Sequence, residues 1–245
     1  MGFFIFFVNC RKSKSMLFPF IVSLVGLFFL LINSVLFYKT RKNKNVQYFI
    51  IMTYLICLFV EELFCNIIGF FHPGSNFFLS HYYFIFQFIA LSIFFRNLFS
   101  NIVLKKMILF FLAVVLILLT IQYYREPSLY WRFNLFEIIV TSVLLILYAL
   151  IFLIQNLKKV KSNYLYFVNG LVIYLISSLS IFLTGNTDSV IFTEPFLLDF
   201  WFFNSLFYIL YQFLIFKEWK ALAIKERLKN STWRMLLNTP KSLDR

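Results

Sequence analysis

Charged side chains are scarce in this chain of 245 residues. Asp, Glu, Lys and Arg together make up 13% of it, whereas hydrophobic residues make up 62%. A soluble domain of ordinary composition carries about twice that share of charge. Because so few charges cannot cover a water-soluble fold, the composition predicts a polytopic membrane protein.

Cysteine and histidine are also few, with three of the first and two of the second. The positions of Cys10, Cys57 and Cys65 match neither a zinc motif nor a disulfide framework. His72 and His81 flank the stretch HPGSNFFLSH, but no ligand spacing supports a metal site formed by them with a glutamate. We therefore expect no metal and no cofactor.

Proline occurs five times, and apart from Pro19 near the start of the first apolar run it falls outside the runs. A helix needs ~20 apolar residues to cross a bilayer. Seven runs reach that length, near residues 16–37, 47–71, 79–99, 104–123, 130–156, 163–184 and 197–216. The sequence thus predicts an all-α bundle of seven transmembrane helices over 16–216. An N-terminal interfacial segment, 1–15, precedes it and a polar tail, 217–245, follows it.

The formal net charge of +13 does not indicate a nucleic-acid partner, because the basic residues lie between the apolar runs. Most Lys and Arg fall in the tail and in the connections after the first, third and fifth runs; Arg11, Lys12 and Lys14 are the exception. Basic residues accumulate on the cytoplasmic side of a membrane protein. This distribution predicts an N-terminus outside and a C-terminus inside.

The stretch FVEELFCNIIGFF places two carboxylates, Glu61 and Glu62, inside the second apolar run. Glu62 shares a helical stripe with Asn66, whereas Glu61 shares one with Cys57 and Cys65, so Glu62 is favoured as the inward carboxylate. On the predicted topology, polar residues of the third, fifth and seventh spans lie at a similar depth in the outer half of the membrane. The predicted ligand-binding residues are Glu62, Gln87, Glu137, Asn204, Tyr208, Glu61 and Asn134.

Two interpretations of these residues stay open. Polar groups between membrane helices often serve as packing contacts, worth ~0.6 kcal/mol each, and buried carboxyls can be protonated. However, ionisable residues at depth are costly, and no Lys or Arg inside the spans is placed to pair with the glutamates. The second consideration favours a ligand, ion or proton site.

The tail segment KEWKALAIKERLKNSTWRMLLN predicts an amphipathic basic helix that continues from the seventh span. Its apolar side chains suit the membrane interface and its lysines suit anionic lipid. A surface for a cytoplasmic or membrane partner is the alternative.

A glutamate-bearing span followed by SNFFLSHYYFIFQF and a late FWFFNSLFYILYQFLIF resembles seven-helix membrane proteins of Bacteroidetes-type bacteria. These are similar to the membrane modules of sensor histidine kinases. The resemblance implies the seven-helix architecture and a multi-pass location in a bacterial cytoplasmic (inner) membrane. It would place a glutamate in the third span where this chain has Gln87.

The leading functional prediction is a receptor-like or sensory module that binds a small or amphiphilic ligand in an outward-facing polar pocket and signals through a partner. A small-solute or proton-coupled transporter and a membrane scaffold subunit are the alternatives. An intramembrane enzyme is not favoured. The Glu61–Glu62 pair resembles that of CAAX-type proteases, but Asn66 occupies the arginine position and no histidine set follows. Oligomeric state is not determined by these patterns.

Overall fold

The computed structural model describes residues 17–42, 44–71, 77–132, 134–157, 163–184 and 200–238. The predicted interfacial segment 1–15 and His72 lie outside these ranges. Within them the chain forms seven α-helices and a 3₁₀ turn, Pro127–Trp131. The α-helices are α1 Leu17–Lys39, α2 Val46–Phe71, α3 Phe77–Leu98, α4 Ile102–Arg125, α5 Leu135–Asn156, α6 Leu165–Thr184 and α7 Phe200–Asn238. The predicted all-α class and the number of helices are confirmed.

Six helices of the described ranges, α1 to α6, contain stretches long and apolar enough to cross a membrane. The hydrophobic effect does not hold such helices together within lipid, so close packing and hydrogen bonds between them must do so.

The contacts between helices arrange six of them in a closed ring. Helix α1 packs against α2 and α7, α2 against α3, α3 against α5, and α6 against both α5 and α7. Helix α4 lies outside the ring, against α3 and with few contacts to α5. Aromatic rings fill the interior, where Phe167 contacts Tyr54, Phe94 and Tyr211 at centroid distances of 6.5, 5.2 and 6.0 Å.

Two glycines allow α7 to approach its neighbours closely. A Cβ on Gly170 of α6 would lie 3.0 Å from both Leu214 Cβ and Tyr211 Cδ2. A Cβ on Gly26 of α1 would lie 2.9 Å from Cδ1 of Tyr208. Glycine at these positions therefore permits the tight packing of α7 into the ring.

The fifth predicted span begins five residues too early. Pro127 opens the 3₁₀ turn, and α5 begins only at Leu135 after the N-cap residue Asn134, whose side chain accepts a hydrogen bond from the Glu137 N–H. A side-chain cap of this kind stabilises a helix start by satisfying a backbone donor without an intrahelical partner. Glu137 thus lies in the first turn of α5, and Asn134 has a structural role at the helix end.

Helix α7 continues without interruption from Phe200 to Asn238, a length of 39 residues. At 1.5 Å per residue it is about 58 Å long, well beyond the thickness of a bilayer. The helical tail predicted after the seventh span is therefore one element with that span. We call the end of the bundle at 40–45, 99–101 and 157–164 the basic end, and the opposite end the 126–134 end.

Candidate functional site

A group of polar side chains lies inside the ring of helices. All its members are buried, and they come from α2, α3, α6 and α7. We call it the interior polar group, and it consists of Tyr54, Glu62, Tyr83, Gln87, Tyr174, Asn204 and Tyr208. Four of the seven residues predicted to bind ligand belong to it.

Two hydrogen bonds connect different helices within this group. Gln87 donates from Nε2 to the Tyr54 hydroxyl at 2.9 Å, and the hydroxyls of Tyr83 and Tyr174 lie 3.4 Å apart. The first bond ties α3 to α2, and the second ties α3 to α6. Gln87 therefore has the packing role that the sequence left as one of two interpretations.

Glu62 is 4% exposed, whereas its neighbour Glu61 is only partly buried. The Glu62 carboxyl therefore lies on the buried face of α2, towards the interior where the four tyrosines of the group, one from each of four helices, are also buried. This is the orientation that the helical stripe of α2 predicts.

Glu61 has a different environment from its neighbour. Its Oε1 accepts a hydrogen bond from the Cys65 thiol one turn later, at 3.2 Å, while its Oε2 is buried without a hydrogen-bond partner in the described chain. The two adjacent carboxyls therefore point to different surroundings, and only Glu62 belongs to the interior polar group.

Asn204 and Tyr208 carry polar atoms with unmet hydrogen-bonding capacity. Asn204 is fully buried, and neither its Oδ1 nor its Nδ2 has a hydrogen-bond partner among the described residues. The Tyr208 hydroxyl, one helical turn away, is likewise buried and unpartnered there. Leaving a buried polar group unpaired costs about 1–3 kcal/mol. Asn204 and Tyr208 therefore retain hydrogen-bonding capacity that the described chain does not use.

A second polar cluster lies at the 126–134 end and binds α3, α4 and α5 together. It consists of His81, Gln122, Tyr123, Asn134 and Glu137, and we call it the His81 cluster. His81 Nδ1 lies 2.9 Å from Glu137 Oε2 and 2.7 Å from the Tyr123 hydroxyl, which also donates to Glu137. Asn134 donates to the Tyr123 oxygen at 3.2 Å.

The His81 cluster supplies the partner that sequence reasoning did not find for Glu137. Both His81 and Glu137 are buried, with side chains 4% and 0% exposed, and a buried carboxyl is tolerated when it is hydrogen-bonded or paired. The third predicted run begins at residue 79, and α3 begins two residues earlier, at Phe77, which places His81 in the second turn of the helix. Of the seven predicted residues, four thus belong to the interior polar group, Glu137 and Asn134 belong to the His81 cluster, and Glu61 belongs to neither.

Helical periodicity is the signal that would have placed His81 inside the bundle. At the spacing i, i+3, i+7 it shares a face with Phe84 and Phe88, both buried. Of the four interior tyrosines, Tyr208 is among the predicted residues, whereas Tyr54, Tyr83 and Tyr174 are not, because tyrosine is common throughout the chain, at 14 residues.

At the basic end, the continuation of α7 is tied to two connections. Glu218, which is 2% exposed, accepts backbone hydrogen bonds from Tyr164 at 2.7 Å, Tyr166 at 2.9 Å and Phe167 at 3.4 Å. It therefore caps the N-terminus of α6 from another helix. Burial raises the pKa of Glu218, an effect that the three backbone donors partly oppose.

Further contacts attach this extension to the connection between α1 and α2. Trp219 Nε1 donates to the Thr40 hydroxyl at 3.0 Å, and Lys44 pairs with Glu226. The predicted tail is thus anchored to the bundle over at least its first ten residues.

Comparison with known proteins finds no matching family model, no matching curated protein and no matching solved structure. Among the described residues no three His, Cys, Asp or Glu side chains are grouped as a metal site would need. Any function must therefore be argued from the two polar clusters and from α7.

Proposed function

We propose that this protein is a receptor-like or sensory membrane module with seven transmembrane helices. The ligand is a small polar or amphiphilic molecule held by the interior polar group, and the output passes through α7 to a partner. The N-terminus lies outside and the basic end faces the cytoplasm, in keeping with the distribution of Lys and Arg. This assignment agrees with the resemblance to the membrane modules of sensor kinases and with a bacterial inner-membrane location.

One observation carries the proposal: Asn204 presents a fully buried amide with no hydrogen-bond partner in the described chain. An amide offers two donors and an acceptor, so it can bind an amine, a hydroxyl or a carbonyl. Glu62 adds a carboxyl to the same interior, which favours a ligand with an amino group or another cation.

The position of Asn204 on α7 connects binding to a signal. The same uninterrupted helix carries Asn204 in its second turn and Glu218 and Trp219 at the basic end. A ligand that shifts α7 at Asn204 must therefore move or strain the contacts that Glu218 and Trp219 make with neighbouring connections. Because no separate output domain occurs in the described residues, a partner protein would read that movement.

The binding test is thermal unfolding of the purified protein in detergent with sodium, potassium, short primary amines and amphiphilic amines. A molecule that binds only the folded state raises the melting temperature. We expect at least one amine to stabilise the wild type, and Asn204→Leu and Glu62→Gln to abolish that shift. Asn169→Leu is the matched control, because Asn169 is an exposed amide that bonds only within α6.

The signalling test measures the distance between spin labels on Lys106→Cys and Lys220→Cys, two exposed positions on α4 and α7. The stabilising amine should change this distance in the wild type and leave it unchanged in Asn204→Leu. Stabilisation without a change in distance would refute the sensory reading and leave a binding protein. The ligand site would be refuted if no compound of the panel raised the melting temperature of the wild type and Asn204→Leu melted at the same temperature as the wild type.

Transport is the second candidate, supported by polar groups nearer the basic end. Asn33 of α1 donates to both the backbone oxygen and the side-chain Oε1 of Gln212 at 2.9 Å, and the Tyr148 hydroxyl is buried and unpartnered in the described chain. However, fully buried rings of Tyr54 and Tyr211 occupy the interior. This packing favours a receptor. Counterflow uptake in proteoliposomes separates the two, because only a carrier exchanges the stabilising amine across the membrane.

A further inference from the structure

An open cleft of about 370 Å³ lies at the 126–134 end, on the outer side of α4. It is lined by Leu118, Ile121, Gln122, Arg125, Glu126 and Phe136. The side chains of α4 come from its last two turns, and Phe136 comes from the first turn of α5. The cleft is therefore separate from the interior polar group, on the surface that faces lipid.

The walls of the cleft change character along the helix axis. Leu118, Ile121 and Phe136 form the apolar part, and each is 45% exposed. Arg125 and Glu126 lie at the end of α4, about 10 Å further along the axis from Leu118. A lipid has the same order, with a charged head at the interface and a hydrocarbon chain below it.

The two charges at the rim are of opposite sign. Arg125 has no ion-pair partner in the described part of the chain, so its guanidinium is available to an anion. Glu126 Oε1 accepts a hydrogen bond from the Ser128 hydroxyl at 3.3 Å and lies 3.7 Å from Arg132; both contacts involve this one oxygen, and neither partner lines the cleft. A guanidinium binds phosphate well, and a carboxylate binds a primary ammonium through charge-assisted hydrogen bonds.

The polar wall of the cleft is held in place from behind. Gln122 exchanges two hydrogen bonds with Asn134, at 2.9 and 3.4 Å, and Asn134 is bonded in turn to Tyr123 of the His81 cluster. Gln122 therefore does not fold over to fill the cleft. A rigid wall lowers the entropy cost of binding, which distinguishes a lipid site from an ordinary lipid-facing surface.

We propose that this cleft binds one phospholipid with a phosphoethanolamine head group. The phosphate pairs with Arg125, the primary ammonium pairs with Glu126, and an acyl chain lies against Leu118, Ile121 and Phe136. An anionic glycerol head would leave Glu126 facing a negative lipid, and a choline head has no N–H to donate to its carboxylate. A second copy of this chain is disfavoured, because the cleft is short and charged at its rim.

The test is native mass spectrometry of the detergent-purified protein with an equimolar mixture of dioleoyl phosphatidylethanolamine, phosphatidylglycerol and phosphatidylcholine. We expect one lipid to be retained per chain at high collision energy. The ethanolamine lipid should be preferred about fivefold over each of the other two, the affinity ratio that one exposed ion pair can contribute. Glu126→Gln should reduce that preference over the glycerol lipid to less than twofold. Arg125→Gln should reduce retention of all three lipids.

Two further variants control the experiment. Arg41→Gln removes a partly exposed cation at the basic end, where the guanidinium stacks on Tyr38, and should retain lipid like the wild type. Ile121→Trp fills the cleft without changing charge and should abolish retention. Four results would each overturn the proposal. They are equal retention of the three lipids, a preference for the glycerol lipid, a dimer in place of the bound lipid, and a lipid preference of Glu126→Gln equal to that of the wild type.

Discussion

Removal of the Glu218 carboxylate should release the N-terminus of α6. Glu218 is buried, and its two oxygens accept three backbone hydrogen bonds, two of good length and one long, from Tyr164, Tyr166 and Phe167. A hydrogen bond to a charged group contributes about 1.5–3 kcal/mol, and a helix N-terminus adds favourable interaction with a nearby anion. Because the three bonds share one carboxylate and are not additive, we expect Glu218→Ala to cost about 3–5 kcal/mol of unfolding free energy.

Reversible unfolding in mixed micelles of dodecyl maltoside and dodecyl sulfate, followed by circular dichroism, measures this loss. Glu226→Ala is the matched control on the same helix; its partner Lys44 lies in a partly exposed ion pair, so its cost should be below about 1 kcal/mol. Hydrogen exchange gives a local readout, since the amides of Tyr164 and Phe167 should exchange faster in Glu218→Ala. Equal losses in the two variants, or unchanged exchange at those amides, would refute the capping role.

Three further predictions concern the same bundle. Burial raises the folded-state pKa of Glu218, so the free energy of unfolding of the wild type should fall as pH rises from about 4.5 through that pKa. The same unfolding assay should show the difference in free energy between the wild type and Glu218→Gln shrinking over that range. Gly170→Ala brings a Cβ to 3.0 Å from Leu214 Cβ and should lower stability by about 1–3 kcal/mol, whereas an unchanged melting temperature would contradict the close packing. Asn33→Leu should cost about 1–2 kcal/mol, and adding Gln212→Leu should restore part of that loss in a double-mutant cycle; additive losses would contradict the pairing.

The number and order of the helices follow from hydropathy because a lipid-spanning backbone has to satisfy its own hydrogen bonds as helix. Hydropathy predicts the ends of the helices less accurately. The run beginning at residue 130 is apolar enough to read as helix, but Pro127 and the Asn134 side chain set the backbone there, and α5 begins at Leu135. An N-cap depends only on residues within one turn of it. Testing Asn134 as an N-cap would therefore have predicted from the sequence that α5 begins at Leu135.

Helix α4 shows how far composition predicts position in the bundle. It is the most apolar of the six candidate spans, and it is also the one that lies outside the ring. The two facts have one cause. A helix outside the ring faces lipid over most of its surface, where a polar side chain has no partner, so its residues there are apolar. Its last turns are the exception, where Gln122 and Tyr123 join the His81 cluster.

Helical periodicity predicts which face of a helix is polar, but it cannot say which helices meet. Glu62, Gln87 and Asn204 are on buried faces, as their stripes indicate. The pairing of His81 with Glu137 depends on α3 and α5 being neighbours in the ring, with α4 covering both. That adjacency is a property of the whole packing, and no spacing along the chain encodes it.

The packing of α7 bears on the proposal that one helix serves both a binding site and an output. Its first half is held at residues 208–214, where Gly26 and Gly170 let α1 and α6 approach within van der Waals distance of Tyr208 and Leu214. Its 39 residues include neither glycine nor proline, the residues at which helices most often bend. On the proposed function, a stiff helix held at residues 208–214 would pivot there, so a displacement near Asn204 would produce an opposite displacement at the basic end. The weak points there are the hydrogen bonds at Glu218 and Trp219, and these are the contacts that ligand binding would strain first.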